Sequence, residues 1–160
     1  PKPVKLFKID AYIPDSYMTK EDKVELYQEL ENAENIGELT EIKKKMRDIY
    51  GKIPHEVTLL LNKRRIDMLI EQEEFEKVNE YTESIEIVMS NKFTDIEGIG
   101  QNLFEVLNPY ISKISVTYLN KVLKIRLQKE DNWVKDLGII IECISVLYKQ
   151  YKKKGKEHEN

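Results

Sequence analysis

The chain has 160 residues, 41% of them apolar and 34% charged, with a formal net charge of -3. That length suits one domain with a real core or two small halves, and the charge gives no global basic field to draw the chain onto nucleic acid or an anionic membrane. No run of about eighteen apolar residues occurs and no apolar signal core opens the chain, so the expectation is a cytoplasmic protein with no membrane partner.

The first element expected is a strand over residues 4–9, where Val4, Leu6, Phe7 and Ile9 stand among lysines. Pro14 ends it and biases Ile13 to an extended conformation. The start Pro1-Lys2-Pro3, without methionine, reads as a piece cut from a longer chain. Tyr12, Pro14 and Tyr17 in "DAYIPDSYM" form an expected structural corner, with both rings buried and their hydroxyls on polar partners.

Thr19 is a good N-cap for a helix over 20–33, with Val24, Leu26, Tyr27, Leu30 and Ala33 as its apolar stripe. Asn35 and Glu38 make a capping-box-like pair for a second helix carrying Ile36, Leu39, Ile42, Met46 and Ile49. Gly51 stands where a left-handed residue ends that helix, and Pro54 suits the first turn of a third, which would bury Val57, Leu60, Leu61 and Met68.

After "EQEE" the period changes. Ile85, Ile87 and Met89 alternate with Glu86 and Val88 as a strand, with a partner near Phe75 to Tyr81. Gly98, Gly100 and Pro109 bracket a short helix over Leu103, Phe104 and Leu107. In "KISVTYLNKVLKIRLQ" a two-residue turn at Asn120-Lys121 sets Tyr118 opposite Leu123, Val116 opposite Ile125 and Ile114 opposite Leu127 on the core side. Ser115 and Thr117 then face Arg126 and Lys124 on the solvent side. Asp131 or Asn132 caps a long helix with Trp133, Leu137, Ile140, Ile141, Ile144, Leu147, Tyr148 and Tyr151 at helical spacing. Further apolar residues off that stripe, Ile139, Cys143 and Val146, make this helix central.

The order predicts an α+β fold in which an N-terminal strand and three-helix subdomain pack with a mostly antiparallel sheet and a long C-terminal helix. The expected domain spans 1–151, with a helical half at 1–72 and a ββαββα-like half at 73–151. A charged, disordered tail would follow at 152–160.

Little chemistry can be assembled. With His55, His158 and Cys143 as the only imidazoles and thiol, neither a His/Cys metal site nor a Ser/His/Asp or Cys/His nucleophile forms, and Cys143 reads as a small core residue. No G-x-x-x-x-G-K-[ST] loop is present, and the carboxylates fall on polar helix faces. No catalytic residue, cofactor or metal is therefore expected in this chain. The turn Gly98-Ile99-Gly100 resembles the hairpin of helix-hairpin-helix modules, whose glycine amides grip a DNA phosphate, yet Asp95, Glu97 and Glu105 surround it. The alternatives there are a DNA-binding module and a simple turn into a helix. The basic clusters Lys43-Lys44-Lys45 with Arg47, and Lys63-Arg64-Arg65, have acidic neighbours that explain them as solvated faces, or they face a partner.

Across residues 9–70 a more specific pattern emerges. "DAYIPDSYM", "KVELYQELENAENIGELTEI" and "MRDIYGKIPHEVTLLL" resemble the C-terminal domain of the bacterial transcription-repair coupling factor family. That family has an Asp-Ala-Tyr-(Ile/Leu)-Pro segment, a Leu-Tyr-Lys-Arg-like helix and an Asp-Arg-Phe-Gly-x-x-Pro corner. Here Ile49 and Tyr50 replace the Arg and Phe of the corner, and Gln28 and Glu29 replace the Lys-Arg.

The resemblance implies a non-catalytic regulatory clamp. Its parent would be an ATP- and Mg-dependent DNA translocase of transcription-coupled nucleotide excision repair, which removes stalled RNA polymerase and recruits UvrA after DNA damage. The clamp would sit on the parent's N-terminal UvrA-binding module, mask it and restrain the motor. The resemblance also implies that the corner ending the second helix lies at the clamp surface, where only Asp48 carries over; the neighbouring Lys45 and Arg47 are expected to help it meet the UvrA-binding module.

Overall fold

The computed structural model describes residues 11–158. The strand expected at residues 4–9 lies outside them. The chain divides into two compact units, with the boundary between Met68 and Leu69, at the last residue of the third helix and close to the division expected at residue 72.

The first unit holds three helices, α1 (Lys20–Asn32), α2 (Ile36–Tyr50) and α3 (His55–Leu69). Their starts follow local chemistry. Thr19 accepts from the Asp22 amide. Asn35 accepts from the Glu38 amide at 2.9 Å while the Glu38 carboxylate accepts from the Glu34 amide at 2.6 Å, a reciprocal cap displaced by one residue. Pro54 lends its carbonyl to the Thr58 amide at 3.0 Å to open α3. Leu26, Leu30, Ala33, Leu39, Met46, Val57 and Leu61 fill the core with Ile13 and Met18. Val24 and Tyr27, expected on the α1 stripe, are exposed instead, and the Tyr27 hydroxyl accepts from the Ile13 amide at 3.2 Å.

The second unit is a four-stranded antiparallel sheet, β1 (Phe75–Glu80), β2 (Ser84–Met89), β3 (Ile114–Leu119) and β4 (Val122–Gln128), in the order β1-β2-β4-β3. Three helices belong to it: α4 (Asn91–Thr94), α5 (Ile99–Leu107) and α6 (Trp133–His158), with a 3-10 turn at Asn108–Tyr110. The hairpin register is the expected one, Tyr118 with Leu123, Val116 with Ile125, Ile114 with Leu127. Asn120 and Lys121 take φ 53 and 64, the left-handed pair of a type I' turn. Leu123, Ile125 and Leu127 are buried with Phe93, Leu103, Leu107, Ile140 and Ile141.

Several expectations fail in this unit: Cys143, expected in the core, is only half-buried, and Val146, expected to help make α6 central, is 49% exposed. Tyr118 is 62% exposed rather than in the core, because among the described strands β3 is an edge strand flanked by β4 alone. The tail is not disordered as far as His158, since α6 continues to that residue. Lys, Gln and Glu are good helix formers and the buried part of α6 supplies the nucleus, so the single Gly155 does not stop it. Lys152 and Lys154 lie back over the rings of Tyr148 and Tyr151, at 6.0 and 5.9 Å. Asn132 is left-handed, φ 64, and its carbonyl accepts from the Asp136 amide in the first turn of α6.

Candidate interaction surface

The expected clamp residues all lie in the last two turns of α2, and all are exposed. At ~100° per residue, Lys45, Asp48 and Ile49 form one contiguous sector of the helix, while Arg47 emerges about 160° round from Lys45. Asp48 and Lys45 are thus brought together, and Arg47 is not. Lys45 is already engaged, donating to the Glu29 carboxylate on α1 at 2.8 Å. That hydrogen bond holds the Lys45 ammonium above its ordinary range. Asp48 is exposed and makes no ion pair with the described residues.

Ile49 changes the character of this surface. Sequence periodicity counts it with the α2 core stripe, but it is 61% exposed. It sits some 60° off Met46, beyond the edge of the buried sector. An uncovered isoleucine beside an unpaired aspartate therefore marks the corner.

The corner is rigidly framed. Gly51, φ 80, donates its amide to the Arg47 carbonyl at 3.0 Å and ends α2 in a conformation that favours glycine. Tyr50 donates to the Asp22 carboxylate at 2.6 Å, which pushes the phenol up to about 12. Its ring meets that of Tyr17 at 5.4 Å between centroids. Pro14 supports the same place, its carbonyl accepting from the Tyr17 amide at 3.0 Å. Pro14, Gly51 and Pro54 frame this place and the Tyr17 ring packs on Tyr50, but the Tyr17 hydroxyl, expected on a polar partner, meets none among the described residues. Tyr12 does not join them: it is 51% exposed, because Ile13 rather than Tyr12 turns inward to the core.

A groove of about 190 Å³ runs between α1 and α2, with Asp22, Glu25, Glu29, Lys45 and Ile49 among its walls. A second, more open hollow shares Glu25, Glu29 and Ile42 with it and is lined also by Gln28, Asn32, Glu38 and Glu41. Of the positions where the resemblance expects Lys-Arg, Glu29 lines the groove at the corner and Gln28 the adjoining hollow. The groove is acidic and suits a partner that brings basic and apolar groups.

The basic cluster on α3 has a structural use. Arg64 donates from Nε to the Leu30 carbonyl at 2.8 Å and from Nη2 to the Ala33 carbonyl at 3.0 Å. It satisfies the end of α1, which has no basic residue in its last turn and no glycine cap. Sequence spacing could not reveal this, since the partners lie more than thirty residues apart.

At the other glycine pair, Gly98 takes φ 82 and leads into α5, with Ile99 buried. Tyr151 donates to the Gly98 carbonyl at 3.3 Å, and a Cβ on Gly100 would meet nothing within 4 Å. Asp95, Glu97 and Glu105 are exposed around this turn. His55 is exposed on α3. Among the described residues no group of three or more His, Cys, Asp or Glu could hold a metal, and no helix is long and apolar enough to cross a membrane.

Fold and surface together define an α+β domain whose distinguishing feature is an exposed helical corner beside an acidic groove. The TRCF domain matches over residues 7–99, and the chain belongs to that family. It is 30% identical over 138 residues to a transcription-repair-coupling factor of Staphylococcus epidermidis, covering 85% of this chain and 12% of that protein. Against the factor of Bacillus subtilis the identity is 29% over 132 residues, 79% of this chain and 11% of the relative. The chain thus spans about an eighth of the length of these relatives. A crystal structure of the C-terminal domain of transcription-repair coupling factor shares the fold, with TM-score 0.61 at 20% identity over 91% of this chain and 92% of that one.

Proposed function

We propose that this domain is a non-catalytic, autoinhibitory clamp within an ATP- and Mg-dependent DNA translocase of transcription-coupled nucleotide excision repair, acting in the bacterial cytoplasm. It masks the UvrA-binding module of the same protein and restrains the motor. RNA polymerase, UvrA and DNA are reached through the parent. Family membership supports the setting. The exposed pair Asp48 and Ile49, held on the Gly51 corner beside an acidic groove, is the observation that supports the clamp. An interface needs an apolar anchor ringed by complementary charge, and a tethered domain needs only modest affinity.

The test is calorimetric titration of this chain with the UvrA-binding module of its own parent. Asp48→Lys and Ile49→Asp should each weaken binding about tenfold or more, since each removes on the order of 1.4 kcal/mol. Arg47→Ala, on the far flank of α2, should leave it unchanged. No binding by the intact chain, or equal binding by all variants, refutes the clamp.

A further inference from the structure

The two edges of the sheet are unlike. β1 has an irregular register between Phe75 and Lys77 and bears Glu76, Lys77 and Glu80, the features that discourage further pairing. β3, Ile114–Leu119, reads ISVTYL: it has no bulge, no charge and no proline. Tyr118 and Leu119 are 62% and 73% exposed, Ser115 and Thr117 are exposed, and no described strand lies beyond them.

The two-residue turn fixes which amides face outward. Leu119 and Val122 flank it and exchange hydrogen bonds, as do Thr117 with Lys124 and Ser115 with Arg126 further along. The Gln128 amide donating to the Lys113 carbonyl at 2.9 Å continues the same alternation. The backbone groups of Ile114, Val116 and Tyr118 are therefore the ones that point out of the sheet.

We propose that this edge is a self-association surface, on which β3 of a second copy adds antiparallel about a two-fold axis at Val116. That register is the one that pairs the outward amides of the two copies and keeps the apolar faces on one side. It sets Tyr118 opposite Ile114 of the other strand twice over, and Ser115 opposite Thr117 twice over. Aromatic with β-branched, and serine with threonine, are favourable cross-strand pairs, so the sequence is complementary to itself. An isologous contact closes at two copies, and its uncharged strand does not repel its duplicate.

Sedimentation velocity of the 160-residue chain over a wide concentration range should show a reversible monomer–dimer equilibrium. Amide exchange at Ile114, Val116 and Tyr118 should slow as concentration rises, while Ser115 and Thr117 stay protected throughout. Tyr118→Lys should abolish the dimer without changing thermal unfolding, because the side chain is exposed in the monomer. In a Cys143→Ser background, Val116→Cys should oxidise to a linked dimer, as residues facing each other across the axis are about 5.5 Å apart, and Thr117→Cys should not. A monomer at every concentration with fast exchange at the three amides overturns the proposal. Slow exchange there in a monomer overturns it too, assigning the edge to another part of the same chain, and so does a dimer that persists in Tyr118→Lys.

Discussion

Removing the Arg64 guanidinium while keeping its stem, as in Arg64→Met, tests whether α3 caps α1. The side chain makes two well-placed bonds, 2.8 Å to the Leu30 carbonyl and 3.0 Å to the Ala33 carbonyl; a third contact to the Glu31 carbonyl at 3.4 Å adds little. Bonds from a charged donor contribute about 1.5 kcal/mol each at the low end of their range, so the pair supplies about 3 kcal/mol. Arg64 is half-buried and water regains part of this, leaving a cost of ~2 kcal/mol. Trp133, the single tryptophan, lies in the other unit and does not report on α1 directly. Native-state hydrogen exchange of the α1 amides does, and a cost of ~2 kcal/mol corresponds to about 30-fold faster exchange. Arg64→Lys should recover about half of that free energy, since one ammonium cannot span both carbonyls in the fork geometry of arginine. Exchange within about threefold of the parent in Arg64→Met, or full rescue by lysine, would refute the capping role.

In the sheet, Arg126 donates to Glu86 at 2.9 Å across β2 and β4, and Glu86 is only 6% exposed. The Arg126 hydrogen bond, helped by Asn79, holds the Glu86 carboxyl below its ordinary range. A folded-state value below the unfolded one means that the stabilisation is present above about pH 4.3 and is lost as pH falls through the folded value. Arg126→Met should cost ~2 kcal/mol at neutral pH, and because nothing of that strength then holds the Glu86 carboxyl down, the cost should shrink as pH falls and the acid limb should flatten, measured by urea unfolding followed at Trp133. An unchanged acid limb would sink that assignment. Lys121→Gly should stabilise the hairpin by ~0.5 kcal/mol, because Lys121 occupies φ 64 where glycine carries no steric cost; a lower melting temperature would contradict it. Tyr17→Ala should cost ~2 kcal/mol by opening space beside Tyr50, and Tyr12→Ala less than about 0.5 kcal/mol; thermal melts that rank the two the other way would count against the packing described.

Much of this molecule was written in short-range pattern. Caps at Thr19 and Asn35, the glycine end at Gly51, the proline start at Pro54 and the hairpin turn at Asn120-Lys121 depend on residues within four positions of one another, so sequence spacing determined them. The hairpin register followed for the same reason, since a two-residue turn leaves one way to pair the alternating apolar face. The family pattern over the first half was legible too, because it rests on the same corner.

Tertiary structure alone decided the rest. Ile49 lies on the edge of a helical stripe, where periodicity cannot say whether a neighbour reaches far enough to cover it, and none of the described residues does so. Arg64 was an undistinguished member of a basic run until folding set it at the end of a helix thirty residues away. Tyr118 kept its predicted register and lost its predicted burial, because strand order, which alternation does not encode, left β3 at the edge. Periodicity fixes which way a side chain points along its own element; what lies opposite is settled by contacts far apart in the chain.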